Sequence, residues 1–412
     1  MTTLYTSIAS RRLWAVLLLL LPHTCIATST PQLQAVPVQE AGGFTFRFEG
    51  GIRFPKKASG VSSLPYTSGA FFVKSVEGED KIWIAGKAKE FAIAQYTLPE
   101  PVASTKVADY PLAIQQQPFT AVGPAGLRND ANRVTGMAVS DGRLFVNVAE
   151  YYDAGGDNLN TTVVAADAFN LSASLGPVFK TITGKAHAAG WITPVPAVFQ
   201  SLLGGDQIMG NASNFPIALR HSIGPSMYIV NSNDVVTTDP KGTIPALPVI
   251  DYSLKSPLHP DQYNESGTND MWTVVSKAFT GFLHVKSRSY MVVGSSGGHH
   301  SGLGYKIDQD NGNRCPGPCA KVHTDYQNYF WRYEMDAALS APLPSLIEPV
   351  AYGELPLFTH DELIYGAYYQ AEKQRLYLLL READTTHPAP LPLLLVYHLA
   401  WNGPQPDIKD TQ

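Results

Sequence analysis

Cysteine is nearly missing from this chain: three occur in 412 residues, at positions 25, 315 and 319. That scarcity excludes a disulfide-dense miniature scaffold, and no second Cys or His pair stands at zinc-finger spacing. Charge is sparse too, at 16% Asp, Glu, Lys and Arg. Without a concentrated basic face, a nucleic-acid partner is excluded. Past the first 27 residues no run reaches about 18 apolar residues, so no membrane span is expected. The chain also lacks a Gly-x-Ser-x-Gly elbow, a His-Glu-x-x-His helix and a phosphate-cradling Gly-Lys-Ser/Thr loop, which disfavours α/β-hydrolase and nucleotide chemistry. Sustained 3.6-residue periodicity is absent; the helix-like patches are Pro196 to Leu203 and Met335 to Leu339.

What is present begins with an address. Arg11 and Arg12 precede the apolar run Leu13 to Leu21, and Cys25, Ile26 and Ala27 offer small residues for cleavage. This predicts a secretory signal over residues 1–27 and a secreted protein. Its removal leaves 28 basic against 35 acidic residues, a net charge of −7. Residues 28–43 read as a linker, 44–403 as a single domain and 404–412 as a tail. In an oxidising compartment Cys315 and Cys319, flanking Pro316-Gly317-Pro318, are expected to pair. Sequons at Asn160, Asn170, Asn211 and Asn264 would carry glycans in a eukaryotic source.

Gly and Pro together number 65, and strand-and-turn grammar covers most of the chain. A loose repeat runs through it. Gly69 to Val76 leads to Lys81 to Gly86 and Phe91 to Leu98; Gly136 to Val139 turns at Asp141-Gly142 into Leu144 to Val148, then Thr161 to Ala165. Gly281 to Gly294 holds two such strands, with Tyr329 to Met335 as a later third; Gly366 to Leu380 and Leu393 to Leu399 close the series. A degenerate unit includes Ser226 to Val230. Strand, tight turn, strand, variable insertion and strand is the grammar of a β-propeller blade. The expectation is an all-β propeller of five to seven blades, with Phe44 to Phe48 pairing beside the last strand; a β-sandwich or jelly roll is the alternative.

Insertions on a rigid scaffold are where function is expected. One runs from Ser295 to about Gln327 and holds His299, His300 and Tyr305; another is Glu150 to Asn158. The histidine pair suits acid–base work, or is simply a solvated loop pair. Arg220 and His221, with Asn211 nearby, suit binding of a uronate carboxylate and its enolate; the plainer role of Arg220 is to tie strands together. His187 opens a turn, either facing the channel as a substrate contact or ending a strand. Asp308 and Asp310 precede Gly312 in an Asx-rich turn that lacks the closing acid of an EF-hand; a structural calcium there is the alternative, and no other cofactor is expected.

Leu203 to Asn211, Arg220 to Ser226 and Gly302 to Tyr305 through Trp331 to Met335 carry a resemblance to secreted microbial β-propeller proteins. More loosely, the chain is similar to propeller-fold polysaccharide lyases, including those that release rhamnose from a rhamnosyl–glucuronate linkage. The resemblance implies β-elimination next to a uronic acid, with a His or Tyr base and an Arg or Asn that neutralises the carboxylate. The resulting expectation is a secreted lyase acting on a polysaccharide or oligosaccharide, with His299, His300, Tyr305 and Arg220 catalytic and Asn211, His187 and His221 binding. The alternatives are a glycoside hydrolase or metal-assisted lactonase or esterase, and a propeller that binds glycan or protein without catalysis.

Overall fold

The computed structural model describes residues 38–122, 133–153, 157–173, 179–212, 223–357, 362–388 and 391–404. Five antiparallel sheets follow one another along this chain. Blade I comprises Phe71–Val76, Glu79–Ala85, Ala92–Leu98 and Ile114–Ala121. Blade II has Arg133–Ser140, Arg143–Ala149 and Thr162–Ala165, and blade III has Trp191–Pro194, Gln207–Gly210, Met227–Val230 and Leu247–Ile250. Blade IV is Lys277–His284, Ser289–Gly297, Tyr326–Glu334 and Ala351–Glu354. Blade V is Ile364–Gln370, Arg375–Asp384 and Leu391–Trp401, completed on its outer side by Phe44–Arg53 and Val38–Ala41.

The first strand of each blade touches the first strands of both neighbours, and blade V meets blade I. That closed circuit makes the protein a five-bladed β-propeller and sets the sandwich aside. Closure is made by Phe44–Arg53, which pairs antiparallel with Leu391–Trp401, so an edge that would template aggregation is covered.

The strand residues explain their burial. Leu376 to Leu380 and Leu393 to Val396 are buried without interruption, as expected for strands sandwiched between blades on both faces. Tight turns link first to second strands: Glu77 and Gly78 (φ 53° and 85°), and Asp141 and Gly142 (φ 46° and 75°), supply the two positive φ values of a type I′ hairpin. Between blades the core is aromatic, and the polar edges of its rings find partners. The Trp191 indole donates to the Tyr290 hydroxyl at 3.1 Å, which donates to the Ser226 carbonyl at 2.9 Å, joining blades III and IV. Helices form at Ala197–Leu203 and Met335–Ser340, where the sequence patches lie, and also at Ser232–Thr237, where Asn231 caps the first turn. Blade III was hard to read because each of its strands is four residues long. Among the described residues no helix is long and apolar enough to cross a membrane.

Candidate functional site at the axial mouth

Three insertions (150–161, 211–226 and 298–325) each connect a second strand to a third. In an antiparallel blade such connections open where the first strand begins, so all three belong to the same end of the ring. At that end lies a cavity of about 300 Å³ on the axis. Its lining includes Arg133, Thr135, Lys277, Phe279, Tyr365 and Gly366 from the innermost strands, Tyr151 and Asn211 from the insertions, and Arg381 from blade V.

A repeated backbone irregularity aims these side chains. Pairing between first and second strands slips between Val134 and Gly136, between Ala278 and Thr280, and between Ile364 and Gly366. The extra residue of each bulge is Thr135, Phe279 or Tyr365, and all three line the cavity. Arg133 and Lys277 therefore occupy equivalent positions, two residues before the bulge, in blades II and IV. The innermost strands approach closely enough that glycine is required: a Cβ built on Gly366 would lie 2.0 Å from the Gly69 oxygen, and one on Gly136 2.1 Å from the Gly190 oxygen.

The charge of the mouth is one-sided. Arg133, Lys277 and Arg381 line the cavity, and among the described residues no carboxylate does. The Arg133 guanidinium lies 4.0 Å over the Tyr151 ring and that of Arg381 5.2 Å over Tyr365; Arg381 also donates to Glu382 at 3.2 Å. Burial, with Arg381 adding to it, pulls the Lys277 ammonium below its ordinary range. Asn211 separates this cavity from a smaller one of about 10 Å³, lined by Glu150, Asp153 and Asn158 among others. The Asp153 carboxylate accepts backbone N–H groups of Asp157 at 3.1 Å and Asn158 at 3.3 Å.

The residues singled out by sequence scatter around this centre. Asn211 lines both cavities, with its amide donating to the Ala186 carbonyl at 2.8 Å. Arg220 and His221 lie outside the described residues. His299 is held at both ring nitrogens: Nδ1 donates to the Asn269 carbonyl at 2.9 Å, so Nε2 accepts the Ser296 hydroxyl at 2.7 Å. Burial holds it below the usual imidazole range, and it stacks on Tyr329 at 5.0 Å. That arrangement leaves no ring nitrogen open to a substrate. His300 is exposed, 3.9 Å from Glu354, and Tyr305 is exposed; neither lines the axial cavity. His187 bonds Asp251 through Nδ1 at 2.7 Å, and its carbonyl accepts the Ser226 hydroxyl.

Two further expectations are corrected. Asn264 is buried, its amide donating to the Gly298 and His299 carbonyls at 2.9 and 2.8 Å, and Asn211 is buried as described. Neither has room for a glycan on its amide nitrogen, whereas Asn160 is half-buried and Asn170 exposed. The suggested calcium carboxylates are engaged elsewhere: Asp308 by Arg314 at 3.1 Å and Asp310 by His323 at 3.0 Å. Cys315 and Cys319 do form a disulfide, with Cα atoms 6.4 Å apart, at the end of the Leu303–Tyr305 and Pro318–Ala320 hairpin.

Sequence reasoning missed Arg133, Lys277, Tyr365 and Arg381. The signal was a basic residue a few positions before the glycine or threonine that opens a repeat, visible only once the bulges are aligned.

No protein-family model matches the chain, and no curated protein sequence matches it. Solved structures resemble it in fold. An endo-arabinase from Bacteroides thetaiotaomicron VPI-5482 is 10% identical, with a TM-score of 0.38, over 85% of this chain and 99% of that one. An exo-1,5-α-L-arabinanase from a bovine ruminal metagenomic library is 11% identical at a TM-score of 0.35, over 82% and 95%. A DUF4221 family member from Bacteroides vulgatus is 9% identical at 0.36, over 88% and 99%. At these values no activity passes from those proteins to this chain.

Proposed function

We propose that this protein is an exported carbohydrate-active enzyme that breaks a glycosidic bond at the axial mouth. The observation that carries the reading is the meeting of two second-to-third-strand insertions, through Tyr151 and Asn211, with the innermost strands at one polar cavity. A rigid ring with variable loops around a concave, hydrogen-bonding centre is the arrangement in which ligand sites form.

Hydrolysis is the first reading of the reaction and elimination the second. Elimination loses its expected base, because both nitrogens of His299 are engaged and His300 and Tyr305 stand away from the cavity. Hydrolysis needs an acid and a partnering carboxylate. Glu150 and Asp153 supply two carboxyl groups that share Asn211 with the cavity. Asp153 is tied to two backbone N–H groups, so the acid role is assigned to Glu150. Elimination keeps the support of the cationic lining, which would neutralise a uronate.

The test is incubation of the mature chain with neutral and uronate-containing glycans, following reducing ends and ultraviolet absorbance together. New reducing ends without absorbance are expected and indicate hydrolysis; reducing ends with absorbance indicate a C4–C5 double bond and elimination. No new reducing ends across arabinan, gum arabic, ulvan and pectin would sink the enzymatic reading. Glu150→Gln is expected to lower kcat by about 100-fold with an unchanged unfolding midpoint.

A further inference from the structure

The inside of a protein does not keep an unpaired ammonium without reason, since taking a cation out of water costs several kcal/mol unless a partner compensates. Lys277 is half-buried at the axis, and its ammonium group has no hydrogen bond or ion pair among the described residues. It shares the cavity with two other cations, Arg133 and Arg381, and with no acid among the described residues. Three like charges around a space of about 300 Å³ repel one another. The fold nevertheless presents two of them from equivalent positions two residues before a bulge, and each guanidinium rests its face on a tyrosine ring. Stacking uses the face of a guanidinium and leaves its edge for polar partners, and at Arg381 one edge donor goes to Glu382 at 3.2 Å. A cavity of this size is at the small end of ligand sites, matching one sugar unit rather than a chain.

We propose that the axial cavity is an anion site that takes a single acidic sugar, a carboxylate or sulfate ester, between Lys277, Arg133 and Arg381. The oxyanion supplies the partner that the Lys277 ammonium lacks, and Asn211 and Thr135 are placed to meet the hydroxyl groups of the ring. A docked anion favours the ammonium form of Lys277, which burial and Arg381 disfavour. The inference rests on the reading above only in taking the anion to be part of a glycan; it concerns binding and narrows the substrate class.

Isothermal titration calorimetry of the mature protein at low ionic strength tests it, with methyl glucuronide, glucose 6-sulfate and glucose as separate ligands. At least one anionic sugar is expected to bind about ten times more tightly than glucose, and added salt to weaken it. Binding of the glucuronide alone assigns a carboxylate; binding of the sulfate alone assigns a sulfate ester. Lys277→Met and Arg381→Gln are each expected to weaken the anion about tenfold. Arg381 is exposed at the rim, so Arg381→Gln decides the matter if Lys277→Met does not fold. Equal affinity for glucose and both anions, or unchanged binding in the folded variants, overturns the proposal. Turnover is read separately: anion binding without cleavage removes the catalytic reading and keeps this one, and cleavage of neutral glycans without anion preference does the reverse.

Discussion

Single residues show how the fold disposes of histidine and asparagine. His284 is buried, edge-on to Phe44 at 4.9 Å and bonded to Ser287 at 3.0 Å. Burial, with Lys286 adding to it, lowers its pKa to about 4. The folded protein keeps this ring neutral while the unfolded chain takes up a proton below about 6.5. Stability is therefore complete above pH 6.5 and falls between there and pH 4, by about 3 kcal/mol from this group. Denaturant unfolding of His284→Gln across that range should show a flatter pH profile. Asn264 makes a sharper case: φ is 49°, its amide donates twice, and its oxygen accepts the Asn269 N–H at 2.9 Å. Asn264→Ala is expected to lose roughly 2–3 kcal/mol in the same assay. The burial of His284 is legible in strand periodicity, which sets it on the same face as Phe282 two residues earlier. That of Asn264 was not, because a polar loop looks solvated until the Gly298 and His299 carbonyls close over it.

At the scale of the strand, the three bulges in the innermost strands organise the mouth. Gly366→Ala drives a Cβ against the Gly69 oxygen and must move one blade against the next. The expected result is a loss of about 3 kcal/mol, measured by thermal unfolding, together with loss of anion binding, since Tyr365 and Arg381 sit beside the shift. Turn positions such as Asp141-Gly142 were readable because φ above zero restricts residue choice locally. Bulges were not, since one unpaired residue leaves no composition of its own and depends on the partner strand.

For the whole molecule, closure is the issue, and Arg375 is its hub. It donates to Glu49 at 2.6 Å and to Glu100 at 2.9 Å, and stands 3.7 Å from Asp80, so it joins the N-terminal strand, blade I and blade V. Burial alone would raise the Asp80 carboxyl, but hydrogen bonds from Lys373, Ser75 and Gln370 lower it below its ordinary value. Its contribution is thus present above the unfolded pKa and lost as pH falls through the lower folded one. Arg375→Ala leaves Glu49 and Asp80 short of a partner and is expected to cost about 3 kcal/mol. Hydrogen exchange should locate the opening at Phe44–Arg53 and Leu391–Trp401.

The sequence by itself determined that the chain is strand-built, where its blades turn, that Phe44 to Phe48 returns to close the ring, and that Cys315 pairs with Cys319. Each of those is a local or periodic property, written in residues near one another or repeated at intervals. Tertiary structure alone decided that there are five blades, that His299 is spent inside its loop, and that Arg133, Lys277 and Arg381 face one cavity. Those three cations come from strands up to 248 residues apart, and a charge cluster of that kind exists only after the ring has closed.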